Sequence, residues 1–146
     1  VYNMFVKQVS IFVENKSGRI ADIISVLGDN GIDISAMSIA DTTDFGIVRL
    51  IVSDCEKAER VLKEYGAVVK ITEVIAVGVS DTPGGLAKAL NVLKDNGVEI
   101  AYIYAFVGKS DKGALVVMKV DNPEKALSCF KENNIVTLSA EDVYRI

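Results

Sequence analysis

Two periodicities of hydrophobic residues follow each other in the first half of the chain. Val9, Ile11 and Val13 alternate with polar residues, apart from Phe12, and this pattern predicts a half-buried strand. The next apolar residues have the i, i+3, i+4, i+7 spacing of an amphipathic helix: Ile20, Ile23, Ile24 and Leu27. Gly31 then lies where a helix commonly ends on a left-handed residue.

The rest of this half continues the alternation of strands and helices. Apolar segments at about 32–40 and 45–52 predict two strands. A second helix begins after Ser53 or Asp54, because either residue is a good N-cap. A last strand over about 67–71 completes the order β-α-β-β-α-β.

The second half of the chain repeats the first at an offset of 66 residues. The tripeptide Asp-Asn-Gly at 29–31 recurs at 95–97. Further identical residues at this offset are Gly18 and Gly84, Ala21 and Ala87, Val26 and Val92, and Leu27 and Leu93. We therefore expect two copies of one unit, with domains at residues 1–72 and 73–146, joined by a continuous strand.

The second copy shows the same predicted elements. Strands are expected at 74–79, 98–107 and 113–120, a helix at about 123–133, and a final strand from Ile135. The β-α-β-β-α-β order is typical of the ferredoxin-like fold, a four-stranded antiparallel sheet with two helices on one face. The predicted fold is therefore α+β, with two ferredoxin-like units that form one extended antiparallel sheet.

Two strands of the second copy are apolar on both faces, although helices cover only one face of the predicted sheet. They are the segments 98–107 and 113–118. Either two sheets pack together within the chain, or the uncovered face meets a second copy of the chain. We favour the second explanation, a homodimer.

The composition excludes several functions. The 146 residues carry a net charge of −4, which is a poor match for nucleic acid, and include no His, the commonest catalytic base and metal ligand. Cys55 and Cys129 are far apart in sequence, so two packed thiols are expected rather than a disulfide or a zinc site. No apolar stretch reaches the roughly 18 residues of a membrane span. We expect a cytoplasmic protein that is not an enzyme, with no metal, cofactor, nucleic-acid partner or membrane partner.

The loop between the first strand and first helix is the clearest candidate site in each copy. A polar residue precedes a helix-opening glycine by three positions, as Asn15 precedes Gly18 and Asp81 precedes Gly84. Unpaired N–H groups at a helix start attract anions, and glycine lets a ligand approach the backbone. Common capping or packing explains the same residues equally well. A carboxylate in the second strand of each unit, Asp33 or Glu99, could hold an ammonium group.

These segments resemble the ACT domain in both copies. The resemblance lies in Asn15-x-Ser17-Gly18-x-Ile20 and Asp81-x-Pro83-Gly84-x-Leu86, and in the later segments Asn-Gly-Ile-Asp-Ile at 30–34 and Asn-Gly-Val-Glu-Ile at 96–100. Ser17 stands where the family usually has proline. Nearly the whole chain is similar to the stand-alone tandem-ACT proteins of bacteria and archaea.

The resemblance implies a regulatory protein that binds an amino acid or another small effector at interfaces between ACT units. The ligand-binding residues that it implies are Asn15, Lys16, Ser17, Gly18, Arg19, Ile20 and Asp33 in the first copy, and Asp81, Thr82, Pro83, Gly84, Gly85, Leu86 and Glu99 in the second. The output would pass to a partner enzyme. The copies differ at Arg19 and Gly85, so equal affinity is not expected.

Two alternatives remain open. The chain could be a ligand-free module that dimerises or docks on a partner enzyme. It could also be a small hydrolase of the acylphosphatase type, for which Arg19 with Asn15 is the candidate pair.

Overall fold

The computed structural model describes residues 4–14, 18–41, 45–107 and 113–144. The strands and helices in this part of the chain are, in order, β1 (Val6–Glu14), α1 (Arg19–Asp29), β2 (Ile34–Asp41), β3 (Phe45–Val52), α2 (Cys55–Tyr65), β4 (Val68–Val79), α3 (Gly85–Asp95), β5 (Ile100–Ala105), β6 (Ala114–Val120), α4 (Pro123–Glu132), β7 (Val136–Leu138) and α5 (Ala140–Tyr144). The predicted β-α-β-β-α-β order is confirmed twice, because β4 ends the first repeat and begins the second. The short helix α5 was not predicted.

The described chain forms two compact units. The first unit is Lys7–Thr72, and the second unit consists of residues 73–144 together with residues 4–6. The boundary between them falls inside the continuous strand β4. The domain limits 1–72 and 73–146 stay a prediction.

In the first unit the strands have the order β2-β3-β1-β4, and β3 pairs antiparallel with both β1 and β2. Ile11 of β1 lies opposite Val48 of β3, and both belong to the core that includes the buried residues of α1 and α2. The predicted helical stripe is confirmed at Ile23 and Leu27, which are fully buried. Tyr65, at the end of α2, is largely exposed.

The second unit has the strand order β7-β4-β6-β5, again with antiparallel pairs. Its core joins Ile75 and Met118, which lie opposite each other on β4 and β6, to Phe130 of α4. Phe5 packs against the same core. In each unit, one apolar core therefore packs the helices against the sheet.

Hydrogen bonds at the helix ends determine where α2 begins and explain why β2 begins later than predicted. Asp54, not Ser53, caps α2 and accepts a hydrogen bond from the Lys57 N–H at 3.1 Å. β2 begins later than predicted because the Ile32 N–H still donates to the Leu27 carbonyl of α1. The predicted left-handed residue Gly31 has a φ of 71°.

The face of β4 and β6 that points away from the helices is also buried. Ala76 lies opposite Val117, and their exposed fractions are 0% and 1%. Leu115, on the same face, is buried as well. Burial on both faces explains why β6 is apolar throughout. Since this burial exists within one chain, the apolar run does not require a second copy, and the homodimer stays a prediction.

Phe130→Ala tests the core of the second unit. Phe130 is fully buried, so its truncation is expected to lower the free energy of unfolding by about 3–5 kcal/mol in urea denaturation. Phe45→Ala is the matched control, because the same side chain is removed from a position that is 52% exposed. We expect the control to cost about 1 kcal/mol or less. Equal losses for the two variants would contradict the assigned core.

Candidate functional site

The start of α3 leaves two backbone donors open. Gly84 precedes the helix with a left-handed φ of 88°, and no side chain caps the helix start. The Gly85 N–H donates to the Thr82 carbonyl at 3.0 Å. Within the described residues, the N–H groups of Leu86 and Ala87 have no acceptor. Asp81 therefore does not cap the helix, and the two free donors form a position where a carboxylate can bind.

The start of α1 has the same backbone geometry. Gly18 has a φ of 83°, no side chain caps the helix, and the Asp22 N–H donates to the Gly18 carbonyl at 3.0 Å. A left-handed residue is required here, which explains the glycine in both copies. The predicted residues Asn15, Lys16 and Ser17 lie outside the described residues. Ile20 is half-buried and packs against the core.

Gly85 has a structural reason to be glycine. A Cβ atom at this position would clash with the carbonyl oxygen of Ser80, which belongs to the preceding loop. The loop is further held by a hydrogen bond between the hydroxyls of Ser80 and Thr82, at 2.8 Å. Asp81 and Pro83 are exposed beside it. No side chain can therefore occupy position 85 unless the loop moves.

The first copy has Arg19 at the position of Gly85. The guanidinium carbon of Arg19 lies 5.8 Å from the centre of the Tyr65 ring, a distance at which a cation–π contact forms. The Nε atom of Arg19 is buried and has no hydrogen-bond partner among the described residues. The arginine side chain therefore reaches from the start of α1 to the end of α2.

Asp33 and Glu99 lie at the other end of the first helix of their units. α1 has eleven residues and is therefore about 16 Å long, with Gly18 before its start and Asp33 beyond its end. The backbone of Asp33 forms two hydrogen bonds with Ser53, and the backbone of Glu99 forms the same pair with Asp121. Both carboxylates face solvent. Within one unit, the structure does not bring either carboxylate near the glycine-opened helix start.

A cavity of about 250 Å³ lies beside the start of α3. We call it the α3 cavity, and its lining residues are Gly78, Val79, Ser80, Gly85, Lys88, Gly113, Asn134, Ile135 and Val136. Of the predicted site residues, Gly85 lines it. Lys88 was not predicted, although one signal was present: at the offset of 66 residues it replaces Asp22, which reverses the charge.

A larger apolar groove lies on the other side of the segment 134–136. Its volume is about 510 Å³, and its lining includes Met4 of the second unit, Leu127 and Lys131 of α4, and Thr137 of β7. None of the predicted site residues in the described part of the chain lines this groove.

The remaining chemistry of the described residues gives no support to catalysis. No group of three or more Asp, Glu, Cys or His residues in this part of the chain could hold a metal ion. Burial raises the pKa of the Cys55 thiol to about 11, against a smaller opposite effect of Lys7. A protonated thiol is a poor nucleophile. No helix in the described part of the chain is both long and apolar enough to cross a membrane.

Comparisons with known proteins place these features in a family. A family model described as an ACT domain pair matches residues 4–146. No curated protein sequence matches the chain. Among solved structures, protein BT0572 from Bacteroides thetaiotaomicron is 41% identical, with a TM-score of 0.90 over 98% of this chain and 98% of that chain.

Two regulatory subunits of aspartate kinase are also similar in structure. The subunit from Thermus thermophilus is 17% identical, with a TM-score of 0.63 over 90% of this chain and 94% of that chain. The subunit from Thermus flavus is 18% identical, with a TM-score of 0.56 over 90% of this chain and 92% of that chain. At these identities the similarity shows a shared fold.

Gly85→Ala tests the close approach of the loop to α3. We expect this variant to unfold at a lower urea concentration, because the added Cβ atom must displace the Ser80 carbonyl. Gly28→Ala is the control, because Gly28 lies within α1 and the Cβ atom that the substitution adds would have no packing neighbour within 4 Å. The control is expected to raise the free energy of unfolding by about 0.5–1 kcal/mol, the usual gain for Gly→Ala in a helix. Stabilisation by both variants would show that the loop is not tightly packed against Gly85.

Alkylation by iodoacetamide tests the state of Cys55. A pKa of about 11 in place of 9.0 lowers the thiolate fraction at pH 8 by about 100-fold, and the alkylation rate should fall by a similar factor. The rate is measured in a Cys129→Ala background, with the same chain unfolded in urea as the reference. Equal rates in the folded and the unfolded chain would contradict the burial of this thiol.

Proposed function

The chain belongs to the ACT domain pair family, and from this premise we propose that it is a non-catalytic regulatory protein that senses a free amino acid. The family match extends over nearly the whole chain, so both units are included. Its structural relatives include regulatory subunits of aspartate kinase. The described residues offer no metal cluster and no activated thiol, which favours a regulator over an enzyme.

The observation that carries the proposal is the open start of α3. Among the described residues, the N–H groups of Leu86 and Ala87 have no acceptor and lie beside a glycine, so a carboxylate can reach both donors at the positive end of the helix dipole. Gly18 repeats this geometry in the first unit. The ammonium group of the ligand needs an acidic partner, and Asp33 and Glu99 are the candidates. Each lies too far from the helix start of its own unit, so a second chain of the predicted homodimer would supply it.

Ligand binding would act through a shift between assembly states. A ligand held by two chains favours the arrangement in which both contact it, and the shift cannot exceed the difference in its affinity for the two states. The signal would then pass to a partner enzyme, since we assign no reaction to the chain itself.

A ligand-free docking module is the second candidate, and one observation favours it. Phe12 and Phe45 lie on the face of β1 and β3 that points away from the helices, and they are 40% and 52% exposed. Exposed aromatic residues on one sheet face are typical of a surface that binds another protein. This function predicts that partner binding survives substitutions at Gly18 and Gly84.

Calorimetric titration against the twenty amino acids tests the proposed function, and Gly84→Asp tests its site. We expect at least one amino acid to release heat, and Gly84→Asp to weaken its binding about tenfold or more, because the new carboxylate repels that of the ligand. Gly97→Asp is the matched control: Gly97 is also left-handed, has open space around it and lies at the other end of α3.

Two results would contradict the proposal. One is a folded protein that binds none of the twenty amino acids. The other is an equal loss of affinity in the Gly84→Asp and Gly97→Asp variants, which would indicate a general effect of the added charge.

A further inference from the structure

The two units differ in what fills the space between the start of their first helix and the end of their second helix. In the second unit this space is the α3 cavity, which extends from Gly85 at the start of α3 to Asn134 just beyond α4. The cavity is open at this point because residue 85 has no side chain. The Ser80 carbonyl prevents any Cβ atom there.

In the first unit the chain's own arginine occupies the equivalent space. Arg19 replaces Gly85, and its guanidinium lies over Tyr65, the last residue of α2. The following residue, Gly66, corresponds to Asn134 in the repeat, and both have a positive φ. The Nε atom of Arg19 is shielded from solvent. The arginine side chain thus covers, in the first unit, the space that is open as the α3 cavity in the second unit.

The lining of the α3 cavity selects an anionic group. Among the described residues that line it, Lys88 carries the only charge, in a chain whose net charge is −4. Within the described residues its ammonium group has no hydrogen-bond or ion-pair partner. Ser80 and Asn134 add polar groups, and Ile135 and Val136 form an apolar wall. A cavity of about 250 Å³ is smaller than typical drug-sized pockets and suits a molecule of amino-acid size.

We propose that the α3 cavity binds a small carboxylate-bearing molecule, whose carboxylate pairs with Lys88, and that each chain has one such site. The position equivalent to Lys88 in the first unit is Asp22, which repels the same group. The identification of this molecule as a free amino acid rests on the proposed function. The α3 cavity lies within the second unit and is a separate binding position from the Leu86 and Ala87 donors, at which the proposed function places a ligand shared by two chains.

Amide spectra of the ¹⁵N-labelled full chain locate the site. The probes are acetate, as a bare carboxylate, and an equimolar mixture of the twenty amino acids, with sodium chloride at the same ionic strength as the reference. We expect shifts at Lys88 and at residues 134–136, which line the cavity and do not include the Leu86 and Ala87 donors, and none at the repeat-equivalent residues 22 and 66–68. Shifts absent from the α3 cavity, or equal in the two units, would overturn the proposal.

Lys88→Met tests the role of the ammonium group. Loss of one charge-assisted hydrogen bond is expected to weaken binding of acetate and of the amino acid about tenfold. Lys94→Met is the matched control, because it removes the same charge from an exposed position near the end of α3. Equal weakening in both variants would overturn the assignment of Lys88.

The outcomes separate this inference from the proposed function. Amino-acid binding in calorimetry with shifts only outside the α3 cavity would leave the proposed function standing and overturn the site. Acetate shifts at the α3 cavity without heat from any amino acid would support the site and contradict the amino-acid sensor.

Discussion

In each unit the chain turns from a buried strand into an amphipathic helix within a few residues, and a left-handed glycine makes this turn possible. Gly18 and Gly84 have nearly the same φ. Because the turn is made by the backbone rather than by a capping side chain, donors at the helix start of the second unit have no acceptor among the described residues. The same constraint that allows the helix to pack on its sheet therefore leaves these donors open to a ligand.

The repeated backbone does not make the two units equivalent. Arg19 in the first unit and Gly85 in the second each follow the left-handed glycine. The Arg19 side chain extends into the space beside the helix, whereas Gly85 leaves this space open as the α3 cavity. Arg19 extends over Tyr65, whereas Gly85 is forced to lack a side chain by the carbonyl of Ser80. A duplicated fold can thus keep its core while the residue at one position changes the space beside a helix.

A regulatory role agrees with the chemistry of the chain. Its 146 residues include no His, and burial raises the pKa of the half-buried Cys55 thiol, so neither an imidazole base nor a Cys55 thiolate is readily available. An effector that binds at a helix start or in the α3 cavity can change only the relative stability of conformations or assemblies. Under the proposed function, the effect of the ligand passes to a partner enzyme.

The sequence by itself determined the repeat, the order of strands and helices, and the helix faces that are buried, because these follow from hydrophobic spacing and local backbone preference. It also located the glycine-opened helix starts. It could not choose between Ser53 and Asp54 as a cap, nor show that Asp81 leaves its helix uncapped, since both depend on side-chain geometry. Only the tertiary structure brought Asn134, beyond the end of α4, beside Gly85 and Lys88 of α3. Such proximity depends on how distant segments pack, which no local pattern of residues encodes.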